Sequence, residues 1–258
     1  MGNIMRIQVL GCSGGISKGL RTTSLLVDDD ILVDAGTGVG DLALEQMTAI
    51  DHVFLTHSHL DHVALLPLLL DAALAKRERP VTVHALPETI ASLQDHIFNG
   101  KIWPDFSKIP TPEQPSLQYA PLVVGDTVVL GTRRLVALPA NHSVPAVGYL
   151  LDSGAGSFAF TGDTTSCDEF WQALNQVDNL RHLMIETSFT NAEIALALVS
   201  HHYCPALLLN GLDQLHARPQ VWITHLKPGE GEAIMREIQA AQHILAPQAI
   251  QHGQGFEL

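Results

Sequence analysis

Five short apolar runs in this chain of 258 residues stop at an imidazole or a carboxylate. Val53-Phe54-Leu55 leads to His57, Leu135-Val136-Ala137-Leu138 to His142, Phe158-Ala159-Phe160 to Asp163, Leu183-Met184-Ile185 to Glu186, and Val221-Trp222-Ile223 to His225. Runs of this length and composition read as buried strands. In α/β sheets the strand ends along one edge form the ligand crevice, so groups far apart in sequence converge there. The pattern therefore calls for a fold that carries strand ends from both halves of the chain to one place. Alone, His142 or His225 would read as a histidine satisfied in the core; together with the others they read as one site.

The first of these ends is the densest. His57-Ser58-His59-Leu60-Asp61-His62 puts three imidazoles and a carboxylate within six residues. Neutral imidazole and carboxylate hold divalent first-row metals, zinc above all, and catalytic sites keep one position open for water or substrate. If the chain turns on leaving a strand at Thr56, His57 and His59 point to one side while Asp61 and His62 reach a second point nearby. One loop then serves two ions. A polar loop that caps a helix would explain one or two histidines but not this run.

The order of these groups resembles the metallo-β-lactamase superfamily: a compound histidine motif, a distant histidine, a bridging aspartate and a last histidine. The resemblance covers nearly the whole chain, from Arg6-Ile7-Gln8-Val9-Leu10-Gly11 to Thr224-His225-Leu226-Lys227-Pro228. It implies an α/β fold, an αββα sandwich of two mixed sheets flanked by helices, built as one domain over residues 1–258. It further implies that His57, His59 and His142 bind one metal, that Asp61, His62 and His225 bind the other, and that Asp163 bridges them. The cofactor is then a pair of divalent ions, Zn2+ first, with Mn2+ or Fe2+ as the other candidates. A glutamate in place of His59 would have suggested the redox-active di-iron branch; the histidine argues for hydrolysis.

Three features resemble the class II cyclic-nucleotide phosphodiesterases within that superfamily. They are His-x-His-Leu-Asp-His-Val at 57–63, the stretch Asn99 to Phe106 containing Trp103-Pro104, and Ile185-Glu186-Thr187-Ser188 followed by His202-Tyr203-Cys204-Pro205. The segment Ala64-Leu65-Leu66-Pro67 departs from the small-residue run of the eukaryotic members. The resemblance implies hydrolysis of 3′,5′-cyclic nucleotides such as cAMP or cGMP to 5′-monophosphates, with water activated between the two metals. His202, oriented by Glu186, would protonate the leaving 3′ oxygen, and Asp61 would be a metal ligand first and a proton shuttle second. Competing readings are a ribonuclease Z-like enzyme, a lactonase, thioesterase or alkylsulfatase, and a metal-dependent nucleotide sensor without turnover. A ribonuclease Z would normally carry a basic Gly/Pro-rich arm, which this sequence lacks. Lost ligands would mark the sensor, and all seven positions are intact.

Composition narrows the partners. The formal net charge is −13, and the 14 Lys and Arg residues are spread thinly, which argues against a stable nucleic-acid partner held through phosphates. The cluster Lys76-Arg77-Glu78-Arg79 reads as the solvated end of a helix. A small anionic substrate remains compatible, because metal ions dominate the local field. No stretch is long enough to span a bilayer; the apolar run Leu65 to Leu70 is interrupted by Pro67. The segment Met1 to Arg6 lacks the pattern of a signal peptide. Cys12, Cys167 and Cys204 form neither a disulfide framework nor a Cys-x-x-Cys metal site, and reduced thiols suit the cytoplasm. A cytoplasmic protein without a membrane partner is the expectation, and the family resemblance adds a homodimer.

Along the chain, Ser24–Val27 and Ile31–Val33 flank Asp28-Asp29-Asp30 as a hairpin. Gly11-Cys12-Ser13-Gly14-Gly15 reads as a tight turn rather than a phosphate cradle, since it lacks the P-loop Lys-Ser/Thr. Asp34 is placed to buttress a metal ligand. The pattern predicts helices over 40–50, 60–75, 87–98, 167–177, 191–199, 205–215 and 230–241. The proline-rich stretch 99–118 is too long for a simple connector and suggests a lid or an interface. Trp103 and Phe106 on it suit either nucleobase stacking or the core.

Overall fold

The computed structural model describes residues 4–258; the first three residues of the N-terminal segment read above lie outside them. The first half contributes strands β1 (Arg6–Gly11), β2 (Ser24–Val27), β3 (Ile31–Val33), β4 (His52–Phe54), β5 (Val81–Ala85), β6 (Pro110–Thr111), β7 (Gln114–Pro115) and β8 (Leu117–Pro121). Its helices are α1 (Leu44–Ala49), α2 (Leu60–Val63), α3 (Leu66–Leu74) and α4 (Pro87–His96). The second half adds β9 (Thr127–Leu130), β10 (Arg133–Pro139), β11 (Val147–Asp152), β12 (Ser157–Phe160), β13 (Leu180–Glu186), β14 (Gln220–Thr224) and β15 (Gln248–Ala249). Helices α5 (Asp168–Leu174), α6 (Ile194–Ser200), α7 (Pro205–Leu212) and α8 (Gly231–Ala240) complete that half, and β16 (Gly255–Glu257) returns to the first sheet.

Two seven-stranded sheets result, in the orders β16-β1-β2-β3-β4-β5-β8 and β15-β14-β13-β12-β11-β10-β9. Each is mixed. In the first, β3, β4, β5 and β8 run parallel, and in the second β12, β13, β14 and β15 do. Successive strand residues alternate between faces, which sorts the apolar runs into layers. Phe54, Phe158, Phe160 and Met184 join the core between the sheets. Val53 and Leu55 face a second cluster that includes Leu69 and Leu70 of α3 and Leu93 of α4. Leu183, Ile185 and Ile223 face a third, against Trp171 of α5, Leu208 of α7 and Ile234 of α8. Helices thus cover both outer faces, and the αββα sandwich follows from the alternation.

The topology also explains why the marked strand ends meet. Strand β10 is antiparallel to β11, which is antiparallel to β12, so β10 and β12 point the same way. The residues after β10, β12, β13 and β14 therefore leave at one edge. The sheets are joined there: the Tyr149 hydroxyl donates to the Leu55 carbonyl at 2.8 Å, and the Val147 N–H donates to the Thr56 carbonyl at 2.9 Å.

The stretch 99–118 belongs to the opposite end. Phe106 accepts a backbone hydrogen bond from Leu117, which pairs with Val81 at the start of β5, whereas the histidine loop follows the far end of β4. Phe106 is buried with Phe98, and Trp103 packs against the same outer cluster. The segment is therefore not a lid on the histidine loop, and its aromatics serve the core. The helix expected over 60–75 is two helices, α2 and α3, separated at Ala64-Leu65, because Pro67 lacks an N–H and its ring crowds the carbonyl four residues earlier. No single helix among the described residues is long and apolar enough to cross a membrane.

Candidate active site

Asp34 and Thr56 set the histidine loop. Asp34 leaves β3 with φ of 59°, a backbone region uncommon for a non-glycine residue, and its carboxylate is fully buried. It accepts hydrogen bonds from the Thr56 N–H at 2.8 Å and the Thr56 hydroxyl at 2.9 Å. Its other close neighbour is Nδ1 of His62, at 2.7 Å. That contact turns Nε2 of His62 toward the interior of the site. Thr56 Oγ1 lies 3.0 Å from Nδ1 of His57 and turns Nε2 of that ring the same way. No side chain of the loop is used to cap α2.

The remaining groups arrive from the second sheet. His142 donates Nδ1–H to the His201 carbonyl at 3.1 Å and brings Nε2 within 3.1 Å of His59 Nδ1. Gly162, with φ of 60°, makes the turn after β12, and a side chain there would collide with Thr56. Asp163 follows. Its Oδ2 lies 3.8 Å from His57 Nε2, 3.3 Å from His62 Nε2 and 3.1 Å from His225 Nε2. Asp61 Oδ2 lies 3.2 Å from His225 Nε2. Two clusters of ligand-type atoms result, His57/His59/His142 and Asp61/His62/Asp163/His225, each within 4.8 Å, and Asp163 reaches toward both.

This donor set fits divalent metal ions. His57 Nε2 and His62 Nε2 are buried without a hydrogen-bond partner; the approach of Asp163 to His62 lacks hydrogen-bond geometry. Buried polar atoms are normally satisfied, and ring nitrogens aimed at a shared carboxylate are what a cation completes. Burial, reinforced by His62, pushes His57 well below the ordinary imidazole value, and burial pushes His142 down to about 4. Both rings therefore present neutral nitrogen. Without metal the second cluster behaves differently: burial opposes charge on His225, yet Asp163 and Asp61 push it up to about 10. The carboxylates thus already form a strongly cation-attracting centre.

Beside these clusters lies a third grouping, His142, Asp163 and His202. Glu186, fully buried at the end of β13, faces His202 Nδ1 at 2.7 Å. It also accepts from the N–H groups of Thr164 and Tyr203 and from the Ser188 hydroxyl. The contact with Nδ1 turns Nε2 of His202 toward the space shared with His142 and Asp163. Ser188 Oγ also lies 2.8 Å from His225 Nδ1 and so orients the last histidine.

All nine residues singled out from the sequence therefore meet in one region: His57, His59, Asp61, His62, His142, Asp163, Glu186, His202 and His225. Thr56, Ser188, the His201 carbonyl and Gly14 were not anticipated in these roles. Gly14 backs onto His225, where an added Cβ would lie 2.6 Å from Nδ1, which accounts for the glycine turn there. Cys204, two residues after His202, is fully buried and packs with Phe189 and Ala197.

The chain matches the β-lactamase superfamily domain over residues 29–246. It is 26% identical to a probable 3′,5′-cyclic-nucleotide phosphodiesterase of Yersinia pestis, across 86% of this chain and 78% of the relative. A ribonuclease Z of Haloarcula marismortui is 31% identical over a shorter stretch, 57% of this chain and 47% of that protein. Among solved structures, unliganded yeast PDE1 aligns with a TM-score of 0.81 at 18% identity over 99% of both chains, a likeness of fold.

Proposed function

This chain belongs to the β-lactamase superfamily, and from that premise we propose that it is a two-metal phosphodiesterase that opens 3′,5′-cyclic nucleotides to 5′-monophosphates. The observation that carries the reading is the Asp163 carboxylate set between two groups of buried ring nitrogens, with the Glu186–His202 pair beside it. Two neighbouring cation sites suit displacement at phosphorus, where the attacking and leaving oxygens both require stabilisation. Support for the cyclic nucleotide comes from the Yersinia pestis relative, similar over most of both chains.

His57, His59 and His142 would hold one ion and Asp61, His62 and His225 the other, with Asp163 shared. Divalent ions bound there supply Lewis acidity, acidifying water and drawing charge from the phosphoryl oxygens. Thr56, Asp34, the His201 carbonyl and Ser188 keep the ring nitrogens in place. His202 carries the proton for the leaving 3′ oxygen at Nε2, while Glu186 at Nδ1 fixes the ring's direction. A positioned general acid typically contributes about 10²–10⁴-fold. Asp61, partly exposed, would pass a proton from incoming water.

Ribonuclease Z-like cleavage is the second reading, supported by the Haloarcula marismortui match and weakened by the net charge of −13, because tRNA is gripped through its phosphates. The test is product analysis after incubating metal-loaded protein with 3′,5′-cAMP and 3′,5′-cGMP, beside a chelator-treated sample and a precursor tRNA. Metal-dependent 5′-AMP or 5′-GMP is expected. Protein with two bound metals that yields no nucleoside monophosphate contradicts the reading, and tRNA cleavage in its place selects the alternative.

A further inference from the structure

The groups converging on the site are imidazoles and carboxylates, and a negatively charged substrate gains little from the carboxylates. Lys227 differs. It follows His225 by two residues, on the segment leaving β14, and is half-buried. Its ammonium stands 5.1 Å from the centre of the Phe189 ring. That ring centre lies 5.7 Å from His202, whose ring in turn lies 5.0 Å from His142 and 5.3 Å from His225. The lysine therefore stands one aromatic ring away from the proton donor proposed above.

Among the described residues Lys227, like seven other Lys and Arg side chains, has no ion-pair partner, whereas Arg6, Arg21, Arg77, Arg79, Lys108 and Arg133 each face an aspartate. The face of an aromatic ring attracts a cation without using its N–H donors, so the three donors of the ammonium remain free for an acceptor. The backbone around it is braced: Gly14 N–H donates to the Leu226 carbonyl at 3.1 Å, and Gly15 sits against Pro228.

We propose that Lys227 binds a charged, non-bridging oxygen of a phosphodiester substrate and thereby makes the site select anionic phosphodiesters over neutral esters and lactones. This rests on the phosphodiesterase reading for the identity of the ligand, though not for the presence of an anion site. An ammonium hydrogen-bonded to a charged oxygen contributes more than a neutral pair, and its loss corresponds to a roughly 10- to 100-fold weaker interaction.

The experiment compares wild type, Lys227→Ala and Lys227→Arg after metal loading, with metal content verified. Kinetics with bis(p-nitrophenyl) phosphate and calorimetric binding of inorganic phosphate are measured on each. The expected result is a KM raised roughly 10- to 100-fold in Lys227→Ala with kcat little changed. Phosphate binding should weaken by a similar factor, metal content should be unaltered, and Lys227→Arg should recover most of the loss. A metal-loaded Lys227→Ala protein with unchanged KM and phosphate affinity overturns the inference while leaving the phosphodiesterase reading intact. Wild type that cleaves no phosphodiester, yet loses phosphate affinity on Lys227→Ala, upholds the anion site and removes the phosphodiesterase reading.

Discussion

Individual side chains divide the site into groups that would hold a metal in the proposed reading and groups that hold those groups still. Asp34 belongs to the second kind: it is fully buried and 2.7 Å from the outward nitrogen of His62. Partners of this sort typically cost about 10- to 100-fold in metal affinity when removed. Asp34→Ala should therefore weaken metal binding by about that factor in competition with a chromogenic chelator, although Asp34 need touch no ion. His202 should behave oppositely. His202→Ala should lower kcat by about 10²–10⁴-fold with metal content unchanged in elemental analysis; loss of metal would make the ring structural. At this scale the sequence is a good guide to metal-type donors, because His, Asp and Glu at strand ends are chemically conspicuous. It is a poor guide to Ser188 and Thr56, common residues whose importance depends on contacts with His225, Glu186 and Asp34.

Secondary-structure elements determine where those side chains can reach. The hairpin Ser24–Val27 and Ile31–Val33 is legible because two short β-branched and leucine-rich runs flank an aspartate turn, and Asp28 adopts the left-handed φ of 50° that such a turn uses. The break between α2 and α3 follows from Pro67, but a pattern of apolar spacing alone passes over it. The placement of 99–118 at the far end of the sheet was not legible, since a proline-rich sequence does not state which end of a sheet it covers. Contact between the sheets beside the site includes Tyr149, whose hydroxyl satisfies the buried Leu55 carbonyl. Tyr149→Phe should lower unfolding stability by about 1–3 kcal/mol, because the carbonyl is left unpaired. Denaturant titration checks this, with metal content expected to stay the same.

Groups outside the candidate metal clusters also couple the stability of the whole molecule to pH. His84 is packed flat on Phe54 with ring centres 4.2 Å apart, and its Nε2 lies 3.1 Å from His52 Nδ1. Burial, followed by the neighbouring His52, pushes it down to about 4. The unfolded chain then binds the proton more readily, so the stabilisation is present above the ordinary imidazole value near 6.5 and is lost as pH falls toward about 4. Relative to wild type, His84→Phe should flatten the decline in unfolding stability over that window; an unchanged slope would contradict it. One sandwich draws donors from both halves of the chain to the proposed two-metal centre, with Asp163 between the sites. Metal stoichiometry by native mass spectrometry on wild type and Asp163→Ala tests this arrangement. Two divalent ions per chain in wild type, and weakened binding at both sites in the variant, are predicted. Two ions retained with unchanged affinity in Asp163→Ala, or a wild type that never takes up more than one, would contradict it.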